Sequence, residues 1–505
     1  MCIKTVLFSL PFFLVFSQSA VTSAGTWYVN GGEVEFRDGQ SLETGFEMIQ
    51  EGIDAATDGD TVIVAQGTYV ENIEFKGKNI VLTTTDPTNA DTVENSIIDG
   101  SEAGSVVTFA GTENETCILS GFTIRNGTGT EVLFDSTPVR VGGGIFGGVP
   151  GGDYAHATIE NNIISGNSAD GGGGLSWCDG LIKENMISEN SASSFGGGFY
   201  FCDGTIRNNV ISGNSANGNG GGLVRCDGTI HGNMIIGNSA SDSGGGVQTC
   251  HGAIQNNTIS GNSAERGGGI NSSLAAIQSN AILGNRAEES GGGLHWCFGT
   301  IQNNTIAGNR AGQSGGGLHE CAVYEEYVAT IRNCIIWGNE APNYPQLYNS
   351  STPSYSCIQG WTGGGEGNID RDPLFADPNG PDEDPHTYED NDYHLLPQSP
   401  CIDKGKDEDW MWGAVDLDGN PRISRGTVDM GGYEYLFEVI GTDGGEVQLR
   451  WSSRPDVVYM VWSCHDLLTG TWEKEVAVVS TGASTSCTFP PPIGRTKFYR
   501  VELGQ

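Results

Sequence analysis

Between Ile159 and Gly360 the chain repeats one alternation of apolar and polar positions about eight times. Ile159, Ile182, Ile206, Ile230, Ile254, Ile277, Ile301 and Ile331 open successive copies, at spacings of 23, 24, 24, 24, 23, 24 and 30 residues. The clearest copy runs from Ile206 to Thr229 and reads IRNNVISGNSANGNGGGLVRCDGT. Apolar residues alternate with polar ones over short stretches, and nothing recurs at a helical period. A strand (TIxNNxI) is predicted to end in a turn (SGN), and a small-residue step (SA) leads to a second strand at GGGL and a turn at CDG. A period this short predicts a solenoid whose equivalent side chains line up in columns.

Two columns are asparagine. One runs Asn162, Asn185, Asn209, Asn233, Asn257, Asn280, Asn304, and the other runs Asn167, Asn190, Asn214, Asn238, Asn262, Asn285, Asn309, Asn339. Amides stacked at the spacing of paired strands, about 4.8 Å, can hydrogen-bond coil to coil, so these columns are predicted to be scaffold. Ahead of the repeats, Phe46, Ile49, Ile53 and Ala56 form the stripe of a short amphipathic helix within 41–56, suited to plugging the end of the stack. A turn and then β-rich alternation follow from Asp58 to Phe75, with strand-like runs at 80–84, 106–109 and 117–125, whereas 127–155 reads as a glycine-rich loop leaving the stack. From Pro342 the repeat breaks, and 437–505 alternates like a small β-sandwich.

Composition narrows the setting. The chain has 505 residues, too many for one ordinary core, and its 78 glycines concentrate in the repeats. Lys plus Arg is 24 and Asp plus Glu is 62, so the net charge is 24 − 62 = −38. Such a surface repels nucleic acid and anionic membranes, which excludes both as expected partners. Residues 1–24 have the form of a secretory signal: Lys4, an apolar run from Val6 to Phe16, then Thr22-Ser23-Ala24 as the small-residue cleavage site. That run is short for a membrane span and no second candidate appears, so no transmembrane helix is expected in the mature chain. A secreted or bacterial cell-surface protein is the expectation.

The repeat, with its I-x-G-N-x-A-x-x-x-G-G-G core, resembles the right-handed parallel β-helix superfamily that includes the pectate-lyase-like proteins. It also resembles the repeats of bacterial polymorphic outer-membrane proteins. The resemblance covers roughly 26–360 and implies an all-β fold, a right-handed parallel β-helix with an N-terminal capping helix. It leaves activity open, since that scaffold hosts lyases, hydrolases, epimerases and adhesins. The series Cys357-Ile358-Gln359-Gly360, Asp372-Pro373-Leu374-Phe375, Ser399-Pro400-Cys401-Ile402-Asp403 and Asp429-Met430-Gly431-Gly432-Tyr433 resembles the choice-of-anchor Q module, a β-rich cap. The stretch YMVWSCHDLLTGTWEKEV with FYRV resembles a fibronectin-like module. The expected organisation is signal peptide 1–24, β-helix 25–356 with its clear repeats at 159–330, cap module 357–435 and β-sandwich 436–505. Cys464 and Cys487 sit in separate strands of the sandwich, and a disulfide between them is expected.

Candidate chemistry lies in four columns. Cys178, Cys202, Cys226, Cys250, Cys297 and Cys321 share one repeat position, with Ser272-Ser273-Leu274 replacing it in the coil between the fourth and fifth. Neighbours about 4.8 Å apart are within bridging range, while parallel Cβ vectors would strain a bridge and favour a buried ladder of thiols. Just beyond lie Asp179, Asp203, Asp227 and then His251. Stacked carboxylates repel, so they must raise a pKa, hold a cation such as Ca²⁺ or splay apart; the following glycines equally suit plain turns. Leu175 and Cys178 both look core-facing, so the two residues between them should bend outward. One outward column reads Ser176, Tyr200, Val224, Gln248, Asn271, His295, His319, and the other Trp177, Phe201, Arg225, Thr249, Ser272, Trp296, Glu320.

Aromatic faces beside carboxylates are how proteins grip sugar rings, which makes Trp177, Tyr200, His295 and Trp296 candidate substrate contacts. The resemblance to carbohydrate-active β-helices implies carboxylates, calcium and a basic residue at the centre of such a face. Arg225 with Asp203, Asp227 and His251 is the cluster it points to, with Asp179, Asp203 and Asp227 as candidate calcium ligands. No cofactor is certain. Asp416, Asp418 and Asn420 do not make an EF-hand, because glycine falls at the fourth loop position. The expected function is binding of a polysaccharide or cell-surface glycan along the solenoid face. The alternatives are a lyase or hydrolase of acidic polysaccharide, and a surface adhesin.

Overall fold

A computed structural model describes residues 24–32, 36–134, 136–148, 152–324, 327–382, 390–423, 426–441, 446–453, 458–464, 471–480, 484–490 and 497–503. The expected signal segment thus lies outside the described residues, apart from Ala24. Four long sheets, of 12, 9, 11 and 12 strands, run the length of the repeats, and neighbouring repeats contribute neighbouring parallel strands. The chain is therefore a parallel β-helix. Its clearest coil passes through Thr205–Arg207, Val210–Ser212, Ser215–Ala216 and Leu223–Val224, one strand in each sheet.

Each coil has four strands where the alternation suggested two. TIxNNxI is not one strand, because it bends at its first asparagine: Asn208 has φ 55°. Asparagine tolerates this left-handed conformation better than most side chains. The remaining corners turn at Gly213 (φ 62°), Gly220 (φ 70°) and Arg225 (φ 51°). Close approach also demands glycine beside the third corner, since a Cβ on Gly221 would lie 2.5 Å from backbone atoms of Ser239 on the next coil. Inside the coil, Ile206, Ile211, Leu223 and Cys226 are fully buried, and their equivalents extend this core along the stack. Each buried Ile or Leu contributes about 1.5–3 kcal/mol.

The asparagine columns hold the coils together, as expected. Asn209 donates from Nδ2 to Asn233 Oδ1 (3.0 Å) and Ile182 O (2.9 Å), and its backbone N–H donates to Asn233 Oδ1 (2.9 Å). Asn238 repeats this pattern in the second column. The cysteine column is a buried ladder of free thiols. Cys226 N donates to Cys250 Sγ at 3.3 Å, and burial pushes the Cys226 and Cys297 thiols well above the usual range, so they stay neutral.

At the N-terminal end the helix is shorter than its stripe, Ile49–Ala55, with Ile49 and Ile53 buried. Phe46 instead bridges to Val29. The Glu71 carboxylate accepts from Ile49 N (2.7 Å) and Gln50 N (3.1 Å), supplying the orphan donors of the first turn. Region 127–155 is more ordered than a loop: Thr130–Phe134 and Thr137–Val141 form an antiparallel hairpin whose second strand joins the 9-stranded sheet.

The last strand of the solenoid is Cys357–Ile358. Residues beyond it pack along the flank of the coils, burying Phe375, Tyr393, Leu395 and Met430 against Ala281, Leu283, Ala307 and Ile335. Buried Arg422 fastens them, donating to Glu434 Oε1 (2.7 Å), Ser279 Oγ (3.1 Å) and Asn303 O (3.3 Å). Asp416 Oδ1 accepts from the backbones of Asp418 and Asn420, so this carboxylate closes a turn. The C-terminal strands form two three-stranded antiparallel sheets around Leu449, Trp451, Tyr459 and Val461. Cys464 and Cys487 belong to different sheets, Val458–Cys464 and Ser484–Phe489, and both are free thiols, so the expected bridge is not formed.

Candidate functional site

The fourth corner departs from the other three. At the second and third corners the left-handed residue is glycine in nearly every repeat, and at the first it is mostly asparagine. At the fourth it is Trp177, Phe201, Arg225, Thr249, Ser272, Trp296 and Glu320, all with φ between 51° and 57°. The left-handed conformation costs a side chain with a Cβ about 1–2 kcal/mol, and such residues cluster where function holds them. Beside this column stands the outward face of the 11-stranded sheet, carrying Tyr200, Val224, Gln248, Asn271, His295 and His319 in register. Both residues between the inward Leu and Cys therefore turn outward.

Two hollows lie along this face and share Gln248. The first, about 340 Å³, is walled by the hairpin through Phe134, Val139 and Val141, and by Tyr200, Arg225 and Thr249 from the coils. The Arg225 guanidinium carbon sits 5.2 Å from the centre of the Phe201 ring, a cation–π contact. Tyr200 stacks on Phe195 with ring centres 6.0 Å apart. Trp177, read from sequence as an exposed contact, is only 2% exposed. The hairpin and its return segment cover it, so Trp177 packs against Phe146 and Tyr154 and backs the hollow.

The second hollow, about 580 Å³, lies further along the stack. Its wall is a file of rings. Trp296 stacks with His295 (5.8 Å), His295 with His319 (5.1 Å) and His319 with Tyr348 (4.8 Å). Burial drives the His295 pKa down to about 4, helped by His319, and burial also lowers that of His319. Both imidazoles are thus neutral near pH 7. His295 Nδ1 lies 2.8 Å from Asn271 Oδ1, and the Trp296 indole N–H donates to the Glu320 carboxylate.

The aspartate column occupies the turn after the cysteines and does backbone work. Asp179 Oδ1 accepts from Asp203 N (2.9 Å), Asp203 Oδ1 from Asp227 N (2.8 Å) and Asp227 Oδ1 from His251 N (2.8 Å). His251 Nδ1 then accepts from Leu274 N at 3.2 Å. Burial raises the Asp179 pKa to about 6 and raises that of Asp203. Among the described residues Arg225 makes no ion pair with Asp203 or Asp227, and its guanidinium lies over the Phe201 ring instead. The described residues do bring together three metal-ligating side chains elsewhere, His295, His319 and Glu320.

Sequence reasoning placed Tyr200, Arg225, His295 and Trp296 on one face and missed the hairpin wall and Tyr348. The β-forming run Val132-Leu133-Phe134, followed by Val139 and Val141, was a usable signal for the hairpin. Tyr348 lies past the clear repeats, where no period marks its column.

No family model matches the chain, and no curated protein matches it. Among solved structures it is similar to a pectate lyase, Pel9A, at 13% identity and a TM-score of 0.43, over 82% of this chain and 97% of that one. It is also similar to XylC in complex with xylose, at 11% identity and a TM-score of 0.36, over 94% of this chain and 100% of the other. Similarity this remote carries no argument about activity.

Proposed function

We propose that this chain is an exported polysaccharide-binding β-helix that holds its polymer along the fourth corner and the adjoining sheet. The observation that carries the reading is the column of left-handed Trp, Phe, Arg, Thr and Glu at a corner that could have been glycine. A strained corner serving only the scaffold would follow the glycine rule of its neighbours. Aromatic faces at Tyr200 and Trp296, with amides and Arg225 between them, suit the apolar faces and hydroxyl edges of sugar rings. Eight rungs, from Ser176 to Tyr348, span roughly 34 Å at strand spacing, room for a chain of several sugars. Binding is favoured over cleavage because each aspartate is already engaged by a backbone N–H of the next rung.

The test is incubation of the purified protein with a panel of neutral and uronate polysaccharides, with and without calcium. The readouts are polymer retention, new reducing ends and the ultraviolet absorbance of unsaturated uronates. Saturable retention without cleavage is expected, with Trp296→Ala and Tyr200→Ala each weakening it about 3- to 10-fold. Arg225→Ala should lower affinity. New chain ends would replace binding with catalysis, and absence of both signals would remove the polysaccharide reading.

A further inference from the structure

We propose that His295, His319 and Glu320 form a binding site for a late first-row divalent metal ion, with zinc as the reference ion. The inference stands apart from polysaccharide binding and does not rest on it. The ligand atoms of the three side chains all lie within 4.8 Å of one another. Two features of the coil create this convergence. His295 and His319 are register partners on adjacent strands, and Glu320 follows His319 at the left-handed corner, φ 53°, which turns it beside the imidazoles. The donors therefore form a triangle from two rungs and two columns. A single column such as the cysteine ladder presents only a line, which cannot surround an ion.

The donor set selects the class of ion. Two imidazoles and one carboxylate, with a further position open to the hollow, match zinc sites with three protein ligands. Calcium, which takes six to eight oxygens, is poorly served here.

An independent observation points to a ligand as well. His319 is 8% exposed, and its Nδ1 is buried without a hydrogen-bond partner, a state that folded proteins avoid unless something binds there. The supporting groups are arranged as metal sites arrange them. Asn271 Oδ1 is an acceptor, so His295 carries its proton on Nδ1 and keeps the Nε2 lone pair free. The Trp296 indole N–H donates to the Glu320 carboxylate. With each donor about 2.0–2.2 Å from zinc, donors on a tetrahedral ion are about 3.4 Å apart. The side chains then need to close by at most about 1.4 Å, a movement open to Glu320, which is only half-buried.

The experiment uses the tag-free protein, stripped with a chelator and titrated with zinc by calorimetry, and with cobalt(II) followed by visible absorption. One zinc per chain is expected, together with cobalt bands typical of four or five nitrogen and oxygen ligands. His319→Gln should abolish saturable binding, and Glu320→Gln should weaken it at least about tenfold. Zinc should raise the melting temperature of the wild type and not that of Glu320→Gln, whose half-buried side chain can change without disturbing the core. His251→Ala, which replaces an exposed histidine on another rung, should bind zinc as the wild type does. Zinc binding that Glu320→Gln and His319→Gln leave unchanged would overturn the proposal. So would affinity no tighter than about 100 µM (about −5.5 kcal/mol) in the wild type.

Discussion

The first two corners of the coil and the fourth solve the same geometric problem in opposite ways. All must reverse the chain through a left-handed residue. At the first two, asparagine or glycine takes the bend in most repeats, and a buried asparagine beside it ties each rung to the next with its side-chain amide. At the fourth, the bend is given to Trp, Phe, Arg, Thr, Ser and Glu, and the tie between rungs is moved two residues on, to the aspartates. Stability and display are thus separated around one coil. A repeat protein can vary a single column freely because the others carry the stacking.

The largest effect should come from breaking a tie. Asn238 accepts from the backbone N (3.0 Å) and Nδ2 (2.9 Å) of Asn214, and donates to Ile211 O and Asn262 Oδ1. Asn238→Ala removes these four hydrogen bonds, each at about 1 kcal/mol, so a loss of about 4 kcal/mol is expected in urea unfolding. Polymer affinity measured below the transition should stay at the wild-type value. A small shift in the midpoint would mean that strand pairing alone holds the rungs.

The comparison also explains what could be read in advance. Ile206 and Ile211, or Asn209 and Asn233, recur at the repeat spacing, and identity at a period is visible in a string of letters. The bend at Asn208 was not visible, because TIxNNxI alternates as a continuous strand would and only the backbone reveals the corner. Likewise His295 and His319 could be written in one column and Glu320 in the next. Their convergence depends on the left-handed turn at Glu320, which no spacing encodes. The aspartates were legible as a column of like charges. Their use as acceptors for Asp203 N, Asp227 N and His251 N depends on which way each peptide faces, and that is set by the cysteine turn before them.

A smaller effect should sharpen the contrast between aspartate and asparagine ties. Asp179 accepts from Asp203 N much as a ladder asparagine accepts from the next rung, but it carries a charge that burial opposes. Its folded pKa is raised to about 6 from 3.8. Between those values the folded state binds more protons than the unfolded one, so acidification favours folding across this window and the ionised group costs stability above it. Asp179→Asn keeps the acceptor oxygen and removes the charge. It should stabilise the protein at pH 8 by about 1 kcal/mol, once the shift is discounted for the half-exposure of the group, and the gain should vanish by pH 4. Thermal melts at the two pH values check this. An equal gain at both would assign it to packing.

The smallest effect is the most specific to the fourth corner. Thr249 is β-branched, has φ 52°, and lines the first hollow. Its conformation costs about 1–2 kcal/mol. Glycine would remove that cost but lose more backbone freedom on folding, by about 0.5–1 kcal/mol. The net expectation for Thr249→Gly is a gain of about half a kcal/mol in stability, with weaker polymer binding, because the hydroxyl that accepts from Gln248 Nε2 at 2.9 Å is gone. Denaturation and affinity measured on the same preparation would read both at once. If stability and affinity fell together, the side chain would belong to the scaffold. Opposite signs are what a corner kept strained for a ligand requires, and glycine at the second and third corners sets the reference against which they are judged.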